Sequence, residues 1–307
     1  MASFLAILIF PFLFLLGFGV LLARFELDPP PVPADPRTAG HTDVLLIDPE
    51  DGIRRGAIAF DYAGKFAKDP RLPDRVKAIE EAIPAAVAHV AARLGRGDRP
   101  PPAFTVRFRD EEQMRLPIRM SVFQELRGTE FRPLIVVGVD DLLDGDFDRV
   151  LSLRHEIAHC FHLAALGEPF YRLPSWVKEG LADWASGEGP VHVEGLVRRY
   201  GPLRPEAGVD PFVDGLEWRT DGDDYPEAYL AFAMVEEEFG PEASRRLVEE
   251  LLTHTSYRVA VRRATGLDFP VFEMRARGFA RREIERAFLK GVPATRPSPG
   301  TATPGSK

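Results

Sequence analysis

The chain has 307 residues, of which 45% are hydrophobic and 28% charged, and 39 Lys and Arg against 47 Asp and Glu give a formal net charge of −8. That length and apolar content suffice for one good-sized core built from one or two subdomains. The acidic balance argues against nucleic-acid binding, which needs a basic patch, and the single cysteine, Cys160, excludes an intramolecular disulfide.

Phe4 to Ala23 is a run of 20 residues without a charge, long enough to cross the hydrocarbon core of a bilayer as a helix. A cleaved signal peptide is the rival reading. Met1-Ala2-Ser3 carries no Lys or Arg, however, and Leu21-Leu22-Ala23 lacks the small residue wanted before a cleavage site. Residues 1–24 are therefore expected to be an uncleaved transmembrane anchor. Pro29-Pro30-Pro31, Pro33 and Pro36 make residues 25–41 a semi-rigid linker.

A domain is expected over residues 42–290. Asp43 to Ile47 reads as a strand and Ala57 to Phe60 as another, with Pro49 and Gly52 marking the turn between them. The spacing of Val76, Ile79, Ile83, Val87, Val90 and Leu94 predicts a helix from about Asp74 to Leu94, stopped by Gly95. Phe104 to Phe108 alternates as a half-buried strand, and Leu134 to Gly138 is a continuous apolar run that suits a strand buried on both faces. A helix follows, with Asp146 as candidate cap and Val150, Ile157, Phe161 and Ala164 as its expected core face.

That helix carries His155-Glu156-Ile157-Ala158-His159. Imidazoles four residues apart lie about 40° apart around a helix and one turn above each other, so both can reach one zinc ion. Glu156 stands beside them, where a carboxylate can take a proton from a coordinated water. A catalytic zinc usually has three protein ligands and an open position. Gly167, Pro169 and Pro174 break the helix, and Ser175 is a candidate N-cap for the next one, which brings Glu179 into its first turns as the candidate third ligand. Asp183, four residues on and on the same face, can accept a hydrogen bond from the far nitrogen of a metal-bound histidine. His162 is too far along the helix to join the two ligands, and Ala165 stands where a third histidine of a metzincin-type motif would be. Trp176 and Trp184 are expected to be core anchors, Cys160 a small buried residue, and His41, His89, His192 and His254 structural or exposed. From Ser175 to about Lys290 the pattern is helical, and residues 291–307 read as a disordered tail rich in Pro, Thr, Ser and Gly.

His155-Glu-x-x-His159 followed by Trp176-x-x-Glu179-Gly180-x-Ala182 resembles the gluzincin branch of zinc metallopeptidases, which includes the thermolysin-like, aminopeptidase N-like and peptidase MA-like enzymes. The resemblance spans about His155 to Gly240. It implies His155, His159 and Glu179 as ligands of one Zn²⁺ per chain, Glu156 as general base and Asp183 as the aspartate behind a ligand histidine. Tyr225-Pro226-Glu227-Ala228-Tyr229 is similar to the segment whose tyrosine assists the oxyanion in the aminopeptidase N-like members, which implies Tyr225, with Tyr229 as second choice. The strand that grips a free substrate amine in those aminopeptidases has no counterpart before His155, where Leu134 to Asp141 stands instead. Endopeptidase activity on a peptide or protein substrate is therefore expected over aminopeptidase activity. The fold expected is α+β and zincin-like, a small mixed sheet with helices over 42–165 and a mainly helical part over 166–290, with the metal in the cleft between them. The catalytic part is expected on the exoplasmic side of the membrane, as in secreted peptidases of this kind. The alternative is a catalytically inactive, membrane-tethered binding or scaffold module of the same fold.

Overall fold

The computed structural model describes two strands, Val44–Asp48 and Gly52–Arg55, and residues 69–109, 120–127, 130–143, 149–200, 216, 225–254 and 256–290. The apolar run Phe4–Ala23, the linker, Asp146 and the tail lie outside these residues. Among the described residues no helix is long and apolar enough to cross a membrane.

The fold is α+β and mainly helical, with one mixed sheet. Five strands, β1 (Val44–Asp48), β2 (Gly52–Arg55), β3 (Phe104–Arg109), β4 (Met120–Arg127) and β5 (Glu130–Gly138), lie in the order β2-β1-β3-β5-β4. Among the described strands only the β3–β5 pair is parallel, with Val106 opposite Ile135. β5 is flanked on both sides, and Leu134, Ile135, Val136 and Val137 are all buried, as a continuous apolar run requires. β3 buries Phe104, Val106 and Phe108 as expected, but Thr105 on its other face is 1% exposed, so the strand is more enclosed than the half-buried one its alternation predicts.

Two strands differ from expectation. Asp48 pairs with Gly52, so the hairpin returns after three residues and Gly52 starts β2 rather than sitting in the turn. The stretch Ala57–Phe60 lies outside the described residues. β4 has no counterpart in the hydropathy pattern, because Ser121, Gln124, Glu125 and Arg127 interrupt its apolar residues and Phe123 is exposed. It is an edge strand, held by pairing with β5 rather than by burial of a whole face. Its readable signal is the two-residue spacing of Arg127 and Glu130, which pair across Gly128-Thr129.

Helix α1 (Leu72–Arg93) buries the stripe Val76, Ile79, Ile83 and Val90, and Gly95 beyond its end has φ +66°, a left-handed stop that a glycine adopts without strain. A short helix α2 (Val139–Leu143) leads to α3 (Arg149–Leu166). α3 packs against α1, β4 and β5. Every residue from His155 to Leu163 on it is buried. A helix enclosed all round shows little amphipathic periodicity, which is why its expected core face is only half right. Ile157 and Phe161 are buried with Leu153 and Cys160, whereas Val150 is 43% exposed and Ala164 is exposed too.

A 3-10 turn (Glu168–Arg172) follows α3, and Pro174, not Ser175, occupies the N-cap of α4 (Ser175–Ser186). The remaining helices are α5 (Gly189–Tyr200), α6 (Tyr225–Phe239), α7 (Pro241–Thr253), α8 (Tyr257–Thr265) and α9 (Phe269–Leu289). α4 is the hinge of the packing, with α3 on one side and α6 on another. Trp176 is 2% exposed and its ring meets Phe232, Tyr257, Phe269 and Phe272 at centroid distances of 5.8–6.0 Å. Burial of such a side chain contributes roughly 2–3 kcal/mol. Trp184 Nε1 donates to Glu236 on α6 at 2.7 Å, and the Arg93 guanidinium lies 4.0 Å over the Trp184 ring and 3.2 Å from Glu236. One cluster thus ties the ends of α1, α4 and α6 together.

Gly180 shows how close α4 and α6 approach. A Cβ there would lie 2.5 Å from the Ala228 carbonyl oxygen and 2.9 Å from the Phe232 ring. The carbonyl is backbone and cannot swing aside. Gly180→Ala gains about 1 kcal/mol of helix propensity against an overpacking cost of about 1–3 kcal/mol and a forced shift of α6. The variant is expected to unfold at lower denaturant concentration than the parent in an equilibrium titration.

Candidate metal centre

His155 and His159 sit one turn apart on α3, and Glu179 reaches them from the second turn of α4. Their facing atoms form a tight triangle. His155 Nε2 lies 3.1 Å from His159 Nε2 and 3.3 Å from Glu179 Oε2, which is 3.2 Å from His159 Nε2. Ligand bonds of about 2.0–2.1 Å at tetrahedral angles put neighbouring ligand atoms roughly 3.3–3.4 Å apart. The triangle is therefore close to one face of such a tetrahedron, and these residues fit a single metal ion. Both imidazoles are buried, while the Glu179 side chain keeps 22% of its exposure.

Behind His155 lies the expected aspartate. Asp183 is fully buried, and its Oδ1 is 2.8 Å from His155 Nδ1. Its other oxygen, Oδ2, is 3.0 Å from Nδ1 of His192 on α5. Glu188 approaches the same pair, 3.5 Å from His155 Nδ1 and 3.6 Å from His192 Nε2. His192, expected to be structural or exposed, thus faces two carboxylates, and Glu188 joins the same cluster. The spacing of Glu188 and His192, four residues apart with no apolar reason for either, was their only sequence signal. His159 is supported differently. Its Nδ1 is buried with no hydrogen-bond partner among the described residues, and its ring meets Phe170 of the 3-10 turn edge to face.

Glu156 is buried beside the triangle without belonging to it. Burial pushes its carboxyl up to about 7, against the pull of His155 and His159 and with help from Glu179 and Glu188. Burial acts on Glu179 in the same sense, but His159 and His155 outweigh it and hold that carboxylate well below its usual range. Trp176, Trp184 and Cys160 are core residues, as expected, and the Cys160 thiol is pushed up by burial. Tyr225 is the first residue of α6, but its side chain lies outside the described residues. The Tyr229 ring covers Gly189 at the start of α5 so closely that no Cβ would fit there.

His162 is 1% exposed and stands edge to face against Phe170. Burial, reinforced by the charge of His159, lowers its pKa to about 3, and the Leu251 carbonyl opposes this from outside good hydrogen-bond geometry. It is a neutral packing residue, apart from the metal triangle.

Comparison with protein-family models, with curated proteins and with solved structures finds no match for this chain.

Two outcomes are expected of the site. Zinc at about a hundredfold excess over its dissociation constant should stabilise the fold by about 2.7 kcal/mol, read as a rise in melting temperature that is lost in Glu179→Ala. The second concerns His162 in metal-free protein. Its folded-state pKa of about 3 lies below the ordinary 6.5, so between those values the unfolded chain binds the extra proton. Its contribution to stability therefore grows with pH across that window and is complete above it. On going from pH 7.5 to 5 the parent should lose about 1–2 kcal/mol more than His162→Leu, measured by denaturant titration at each pH.

Proposed function

We propose that this chain is a zinc metallopeptidase of zincin-like fold, with His155, His159 and Glu179 as its metal ligands. The observation that carries the reading is the triangle of 3.1–3.3 Å between three ligand atoms, with a buried carboxylate next to it that is not a ligand. A site kept only for structure gains nothing from Glu156. Burying a carboxyl without pairing it is costly, and its place beside the ligands suits a group that moves a proton.

Zinc bound there would lower the pKa of a coordinated water toward neutrality and polarise a carbonyl oxygen. Glu156 takes the proton of the attacking water and passes it to the leaving amine, so one carboxylate serves first as base and then as acid. Asp183 faces Nδ1 of His155 at 2.8 Å, which keeps the proton on that nitrogen and Nε2 free to ligate. The role of oxyanion donor falls to Tyr225 by resemblance, and the packing of Tyr229 over Gly189 supports that choice between the two. The missing amine-gripping strand favours internal cleavage of a peptide or protein. Phe4–Ala23 would anchor the enzyme in a bilayer with the catalytic part on the exoplasmic side.

The scaffold alternative shares the fold and differs in chemistry. Glu156→Gln separates them, because it keeps shape and ligands and removes the base. The variant is expected to bind zinc as the parent does and to hydrolyse a mixed peptide library at least 100-fold more slowly. Equal cleavage by both would remove Glu156 from the mechanism, and no cleavage by the parent would favour the scaffold.

A further inference from the structure

We propose that His192 is a positioning residue of the metal centre, clamping Asp183 and Glu188 so that together they fix His155. The inference rests on the metal reading above and concerns how one ligand is held.

The geometry is a closed ring of contacts. Asp183 presents Oδ1 to His155 at 2.8 Å and Oδ2 to His192 at 3.0 Å. Glu188 presents Oε2 to His155 at 3.5 Å and Oε1 to His192 at 3.6 Å. Both ring nitrogens of His192 thus face carboxylates, and both of those carboxylates face one nitrogen of His155. Asp183 is fully buried, where an isolated carboxylate costs several kcal/mol. A cation touching both acids offsets that cost. Burial alone would lower the pKa of His192, but Asp183 and then Glu188 outweigh it and push it up to about 9.

Ser186 and Ser152 hold the frame. The Glu188 amide donates to Ser186 Oγ at 3.0 Å, and Ser152 Oγ on α3 lies 3.5 Å from Glu188 Oε1. The clamp therefore joins α3, α4, α5 and the short link between α4 and α5. His155 Nδ1 has the Asp183 and Glu188 carboxylates within 3.5 Å, though outside good hydrogen-bond geometry, whereas His159 Nδ1 is buried with no partner among the described residues. The two ligand histidines are unequal: His155 is the fixed one, and its orientation depends on a residue on a third helix that never touches the metal.

The test is zinc affinity of the full chain, measured by competition with a chromophoric chelator, for the parent, His192→Leu and His192→Asn. Asn keeps a donor near the position of Nδ1 and can still reach Asp183, whereas Leu keeps only bulk. The zinc dissociation constant is expected to rise about 10–100-fold in the Leu variant and less in the Asn variant, at one zinc per chain throughout. Thermal melts of the metal-free proteins check that each variant folds, and a Leu variant that does not fold leaves the Asn variant and Glu188→Gln to be compared with the parent. Folded variants with the parent's affinity would overturn the clamp while leaving the three-ligand site intact. Two zinc ions per parent chain, one of them lost in Glu188→Gln, would also overturn it, because Asp183 and Glu188 would then be ligands. A parent that binds no zinc removes the metal reading and the clamp with it.

Discussion

Two imidazoles and a carboxylate held within 3.3 Å of each other, in a place where both imidazoles are buried, form the constraint on which the rest of this structure depends. Side chains do not converge in this way by apolar packing. The convergence requires α3 and α4 to run side by side at close range, with α3 enclosed by the sheet, α1 and α7. It also requires α4 to be pressed from behind by α6 at Gly180, and its tryptophans to be locked into the aromatic cluster and the Arg93–Glu236 pair. Around the triangle four acids and three histidines lie close together, so the local charge has to be balanced. Glu156 does so by rising toward neutrality, Asp183 and Glu188 by sharing His192, and a divalent cation would do so for the triangle itself.

The placement of the groups follows from this balance. Asp183 is tolerable when fully buried only because each of its oxygens faces a histidine. Glu179 is the partly exposed member of the triangle. His162, one turn beyond His159 and with no carboxylate paired to it among the described residues, takes the other course and stays neutral against Phe170.

Much of this was legible in the sequence. The four-residue spacing of His155 and His159, the helix break at Gly167 and Pro174, and the spacing of Glu179 and Asp183 are local signals, and local signals survive folding. The stripe of α1 and the apolar run of β5 were legible for the same reason. The misses were cooperative. β4 is held at the sheet edge by β5 and carries no apolar pattern of its own, only the short turn that joins it to β5. α3 is buried all round only from His155 to Leu163 and is exposed at Val150 and Ala164, so its periodicity misdirected the choice of core face. His192 lies on a third helix, and nothing in its surroundings along the chain says that Asp183 will face it. His192 reaches this cluster through a tertiary contact with Asp183, and only the assembled packing identifies such a residue.

The most direct test of the central claim is X-ray absorption at the zinc edge on the purified, zinc-loaded chain. Three protein ligands and water predict four nitrogen or oxygen neighbours at about 2.0–2.1 Å, with the outer-shell scattering of two imidazoles. A sulfur neighbour at about 2.3 Å, which only Cys160 or a methionine could supply, or the scattering of three or more imidazoles would contradict the assignment of His155, His159 and Glu179.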